Sequence, residues 1–97
     1  MLDCEYWMKE FDKRFSVGDV VKHFKHDLTG PCDIPSMYFY EIVGTGLYTE
    51  GVMCVIYKPL YPTEYEFFAR PIEEFVGKVN KEKYPDVKQE YIFEKVR

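Results

Sequence analysis

At 97 residues the chain suits one small domain, and a domain of that size hides only about 60 to 70% of the surface its unfolded chain exposes. Nine Tyr, eight Phe and one Trp make it 19% aromatic, so a compact aromatic core is the first expectation. The net charge of −4 argues against binding along a nucleic-acid backbone: residues 31–77 carry two basic and seven acidic side chains, and the six basic and four acidic ones of residues 78–97 read as a solvated face.

Leu2, Tyr6, Phe11 and Phe15 recur with charges between them, which predicts an amphipathic helix in an N-terminal extension, residues 1–16. The remainder, residues 17–97, is expected to be a single β-barrel domain. Val17 to Phe24 reads as a turn entering a first strand, and residues 25–35, with Gly30, Pro31 and Pro35, as a loop. Tyr38 to Val43 alternates Tyr38, Tyr40 and Ile42 on one face with Phe39, Glu41 and Val43 on the other, and is predicted to end in a bend at Gly44-Thr45-Gly46. A turn over residues 47–51 then leads to the apolar strand Val52–Tyr57, its hairpin partner.

A fourth strand is predicted over Tyr65–Ala69, with Tyr65, Phe67 and Ala69 on one side. Pro71 then opens a short helix that places Ile72, Phe75, Val76 and Val79 at helical spacing. Residues 81–89 read as an irregular crossing with a helical turn. Tyr91–Val96 alternates as a fifth strand able to close against the first. The fold class is therefore mainly β: a small SH3-like, partly open five-stranded barrel with an N-terminal helix and one short helix after Arg70.

Cys4, Cys32 and Cys54 are odd in number and lack C-x-x-C spacing, so they read as reduced thiols of a cytoplasmic protein. No apolar run approaches the roughly 18 residues of a membrane span, and the acidic residues among the first 14 positions are unlike a secretory signal.

Residues with the chemistry of a site are few. His23 and His26 stand three apart on a strand end, which sends their side chains to opposite faces, and no further ligand falls at finger-like spacing; no metal is expected. Cys54, within an apolar strand, reads as a core residue with a raised pKa, and Cys32 has the negative Asp33 beside it; neither has the setting of a nucleophile. Gly44 and Gly46 make only a G-x-G without a following helix, so no phosphate cradle forms. Glu73 and Glu74 sit in the first turn of a short helix, where the dipole favours negative charge.

Arg70 stands out as the sole guanidinium between Arg14 and Arg97, fixed by Pro71 and placed among Tyr57, Tyr61 and Tyr65. Two readings compete: an internal ion pair or cap in which Arg70 holds Glu73 or a loop carbonyl, and an anion or nucleotide-like ligand gripped by Arg70 and stacked on the tyrosines.

Over about residues 17–96 the chain resembles a bacterial family known only as domain of unknown function 1653. The resemblance is carried by His23-Phe24-Lys25; by Tyr40, Ile42 and Gly44; by Thr49-Glu50; and by Val55, Tyr57, Leu60 and Tyr61. It continues through Arg70, Pro71, Glu73 and Phe75 to Lys83, Tyr84, Pro85, Gln89, Tyr91, Phe93 and Glu94. Pro62 stands where the family usually has glycine, and Leu47-Tyr48 where it has a basic pair. The resemblance implies a shared residue set and no mechanism.

Three functions remain. The leading one is a non-enzymatic binding module for a small anionic or nucleotide-like ligand, with His23, Lys25, Tyr57, Tyr61, Arg70 and Glu73 as its site and no cofactor. The second is a peptide or protein partner on an exposed strand edge or tyrosine groove, and the third a small enzyme with His23 as general base.

Overall fold

The computed structural model describes residues 4–28 and 34–97. Leu2, Gly30, Pro31, Cys32 and Asp33 lie outside the described residues, as does the side chain of Cys4. Helix α1 (Cys4–Arg14) has Glu5 in its first turn and Lys13 and Arg14 in its last, the polarity the helix dipole favours. Its buried face carries Phe11, with Phe15 just beyond the helix end and Trp7 packed on the same core; the expected Tyr6 points out, 56% exposed. Trp7, Phe11 and Phe15 are spaced by four, which keeps them on one face, whereas Tyr6 to Phe11 is a step of five.

Five antiparallel strands follow: β1 (Val20–His23), β2 (Phe39–Tyr48), β3 (Val52–Pro59), β4 (Phe68–Pro71) and β5 (Phe93–Lys95), in the order β4-β3-β2-β1-β5. The sheet is not closed, and β4 and β5 are its edges, so the fold is a partly open barrel. A 3-10 helix (Phe24–Leu28) leaves β1 where a loop was predicted, and α2 (Ile72–Phe75) follows β4.

Two strands differ from the sequence reading. The glycines at 44 and 46 do not end β2: Ile42 pairs with Tyr57 and Gly44 with Ile56, leaving Val43 as the extra residue of a bulge that bends the strand and lets it run on to Tyr48. The hairpin turn then closes at Gly51, whose φ of 86° suits glycine. The fourth strand begins at Phe68, three residues later than expected, because Phe68 is the residue that finds Tyr57 opposite it. Tyr65 and Phe67 stay exposed. Cys54 is half-buried on the outer face of β3 rather than in the core, because only the Val55 and Tyr57 side of that strand is covered.

The core sits between the concave face of the sheet and the two helices. Val21, Ile42, Val55, Phe75 and Phe93 are fully buried, and the rings of Phe75 and Phe93 stack 4.3 Å apart. Phe11 and Phe15 meet Phe75 at 6.1 and 5.4 Å, so α1 belongs to this same core. Arg14 fastens it: the guanidinium donates to Val76 O at 2.8 Å and Phe93 O at 3.2 Å, and lies 3.8 Å from the centre of the Tyr91 ring. The helix predicted through Val79 stops at Phe75, and Val79 turns instead into a second small cluster with Phe24 and Val87. Beside that cluster the buried amide of Gln89 donates to Lys22 O, Tyr91 O and Ile92 O, tying the irregular crossing to β1. No helix among the described residues is long and apolar enough to cross a membrane.

Candidate functional site

Antiparallel pairing throughout brings five strand ends to one mouth of the half-barrel. His23 ends β1, Tyr40 lies near the start of β2, Tyr57 near the end of β3, and Phe68 and Phe93 begin β4 and β5. Residues directly opposite in such a ladder share a face. His23 opposes Phe93, Tyr57 opposes Phe68, and Arg70 opposes the fully buried Val55, which sets Arg70 on the inner face.

Phe93 is the floor. Its ring lies 5.0 Å from His23, 5.9 Å from Tyr40 and 5.5 Å from Tyr57, all near edge-to-face. Arg70 places its guanidinium carbon 5.3 Å from the centre of Phe93 and donates from Nε to the Tyr57 hydroxyl at 3.3 Å. Among the described residues no acidic side chain pairs with Arg70, and its two terminal nitrogens have no partner. The ion pair with Glu73 that the sequence allowed does not form.

His23 is buried, 7% exposed, stacked on Phe24 at 4.5 Å, and its Nδ1 accepts the backbone N–H of Lys25 at 3.0 Å. That bond leaves the proton of the neutral ring on Nε2. Nε2 has no partner among the described residues and is not sealed from solvent. Burial, and then the positive charges of Arg70 and Lys25, push the imidazole down to about 4, so at neutral pH it is an uncharged donor.

Above the floor, the hydroxyls of Tyr40 and Tyr61 share a hydrogen bond of 2.8 Å, and burial together with that bond raises the Tyr40 phenol well above its usual range. The Tyr61 ring lies 5.9 Å from Tyr38. Tyr38 itself has a φ of 66°, a left-handed conformation that is a true outlier for a bulky residue and costs on the order of 1 to 3 kcal/mol. Its carbonyl accepts the His23 N–H at 3.0 Å, so the strained residue holds the end of β1.

Of the six residues singled out in the sequence, His23, Tyr57, Tyr61 and Arg70 therefore meet at this mouth. Lys25 contributes its backbone N–H and its charge, while its side chain is exposed. Glu73 does not join them: it lines a cleft at the other end of the sheet with Val52 and Trp7. Among the described residues, no three His, Cys, Asp or Glu side chains gather as metal ligands.

The family model described as "Protein of unknown function (DUF1653)" matches residues 19–94. The chain belongs to the DUF1653 family. No curated protein and no solved structure matches it. The DUF1653 match covers β1 to β4 and all of β5 but Lys95, includes every residue of the mouth, and begins after α1.

Sequence reasoning missed Phe93, Tyr40 and Phe68 as parts of this candidate site. The signal for Phe93 was present, since a fifth strand pairing with the first must set some residue of it against His23. Nothing in the residues around Tyr38 announced its left-handed backbone.

Proposed function

We propose that the mouth around Arg70 is a non-enzymatic binding site for a small anion. The observation that carries this is a half-buried guanidinium without an acidic partner among the described residues, set beside a neutral histidine whose Nε2–H is unclaimed. A planar fork with free terminal N–H groups matches a carboxylate or phosphate; His23 Nε2–H adds a neutral donor, and so does the one hydroxyl proton of the Tyr40–Tyr61 pair that is not used between the two rings. The same field that lowers His23, from Arg70 and Lys25, favours negative charge at the mouth. The surrounding segment, residues 31–77, is acidic at −5, from two basic and seven acidic residues, and disfavours long polyanions. The free thiol of Cys54 suits a reducing compartment such as the cytoplasm.

Catalysis with His23 as base fits less well. Nδ1 is occupied by a backbone N–H, Nε2 already carries the proton, and a group that titrates near 4 is a weak base at neutral pH. The peptide reading rests on the edges β4 and β5, which at four and three residues are short enough to blunt strand addition.

Thermal unfolding in inorganic phosphate, benzoate and adenosine monophosphate, each against a neutral counterpart (benzamide, adenosine), tests the proposal. At least one anion is expected to stabilise, by about 2.7 kcal/mol at a hundred times its Kd. Equal shifts with the neutral counterparts, or none with any anion, would refute it.

A further inference from the structure

A second cleft lies at the end of the sheet away from the mouth, where α1, the tip of the β2–β3 hairpin and α2 come together. Trp7, Val52, Met53, Pro71, Ile72 and Glu73 line it. Val52 opens β3 and Pro71 closes β4, so strand pairing fixes two walls. Trp7 supplies a third from α1, half-buried against the core with its ring edge-on to Tyr6 at 4.8 Å. The lining is apolar and aromatic apart from one formal charge, the carboxylate of Glu73. That carboxylate has no ion pair or hydrogen bond among the described residues, and no basic side chain lines the cleft. Glu74 and Glu50, neighbours in sequence to Glu73 and Gly51 of this cleft, add to the negative field.

We infer that this cleft binds a small organic ammonium ion: a cation with an attached apolar group. The apolar part removes Met53 and Val52 surface from water over the buried Ile72, and the ammonium answers Glu73 with Trp7 as an aromatic neighbour. An anion would be driven beside an unneutralised carboxylate, and a neutral ligand would leave Glu73 partly desolvated without a partner. The two ends of the barrel thus differ in sign, a cationic fork at the mouth and a lone carboxylate here. This site stands independently of the anion proposal.

Trp7 is the only tryptophan of the chain and lines both this cleft and a neighbouring one beside Glu10, Lys78 and Tyr91, so tryptophan fluorescence of the full protein reports binding near α1, and the Glu73 variant assigns it to this cleft. Three probes of similar shape are titrated: 2-phenylethylammonium, 2-phenylethanol and 3-phenylpropionate. The ammonium ion is expected to give a saturating change with a Kd on the order of 1 mM, as suits so small a ligand. The alcohol should bind about tenfold more weakly, and the carboxylate more weakly still. Glu73 is exposed, so Glu73→Gln should leave the unfolding midpoint nearly in place while raising the ammonium Kd about tenfold; Arg70→Gln, whose side chain turns to Tyr57 and Phe93 and does not line the cleft, should not change it. Equal affinity for the alcohol, an unchanged Kd in Glu73→Gln, or no saturation with the ammonium ion would each overturn the inference.

Discussion

Replacing Arg70 with alanine separates a structural guanidinium from one kept for a ligand. Had Arg70 been the buried partner of an acid, its loss would strand that acid and cost about 3 to 5 kcal/mol. The structure gives it two contacts instead. The hydrogen bond to Tyr57 is long at 3.3 Å, which places it at about 0.5 kcal/mol, and the contact with Phe93 at 5.3 Å, on a half-exposed side chain, is worth about 0.5 to 1 kcal/mol. One term has the opposite sign: Arg70 lowers the proton affinity of His23, so its removal relieves that repulsion wherever His23 is charged. Arg70→Ala is therefore expected to cost about 1 to 1.5 kcal/mol at neutral pH in urea unfolding, or about 4 to 12 °C in Tm for a domain of this size. The imidazole resonance of His23 should titrate higher than the wild-type value near 4, with burial still holding it below the ordinary range. A loss of 3 kcal/mol or more, or a His23 titration that does not move, would refute the reasoning.

Three further outcomes follow from the same contacts. His23 titrates near 4 when folded and near 6.5 when unfolded, so between those pH values the unfolded chain holds more protons; stability should fall on acidification from 6.5 to 4 by about 3 kcal/mol, and His23→Gln should flatten that part of the pH profile. Arg14→Ala removes two bonds to buried carbonyls and the stack on Tyr91, and is expected to cost about 2 to 4 kcal/mol in urea unfolding, with the Trp7 fluorescence shifting as α1 loosens. Gln89→Leu removes the side-chain donor to Lys22 O, Tyr91 O and Ile92 O, of which Ile92 O keeps the Phe24 N–H, and also removes the unpartnered buried Oε1; it should cost about 1 to 3 kcal/mol, seen also as faster amide exchange over residues 87–92.

Much of the architecture was legible because local pattern and tertiary need agreed. The β-branched residues of Val17–Phe24, the apolar run Val52–Tyr57 and the alternation of Tyr91–Val96 point to the strands that form within or over them, β1, β3 and β5, and Pro71 marks the start of α2. Where the reading slipped, two assignments were locally compatible and a distant contact chose between them. Tyr6 and Trp7 are both aromatic in α1, and only the step of four to Phe11 favours Trp7. Gly44-Thr45-Gly46 suits a bend or a bulge, and the long pairing with β3 selects the bulge. Cys54 looked buried because β3 is apolar on both faces, yet one face has no cover. At the site, Arg70 and its tyrosines could be named from residue type, whereas Glu73 was grouped with Arg70 by nearness in sequence. The Arg70 side chain turns to Tyr57 and Phe93 under the sheet, while the turn from β4 into α2 carries Glu73 into the cleft walled by Pro71, Val52 and Trp7.

The claim that Arg70 and His23 hold an anion is tested most directly by titrating the labelled protein with benzoate and with inorganic phosphate, following the Arg70 Nε–H and His23 Nε2–H resonances by nitrogen-15 NMR. Both signals are expected to move in a saturable way with at least one of the anions, and the affinity to fall at least about tenfold in Arg70→Gln, the loss expected of a charge-assisted pair. Anion-induced shifts that leave both side chains still, or an affinity that survives Arg70→Gln unchanged, would contradict it.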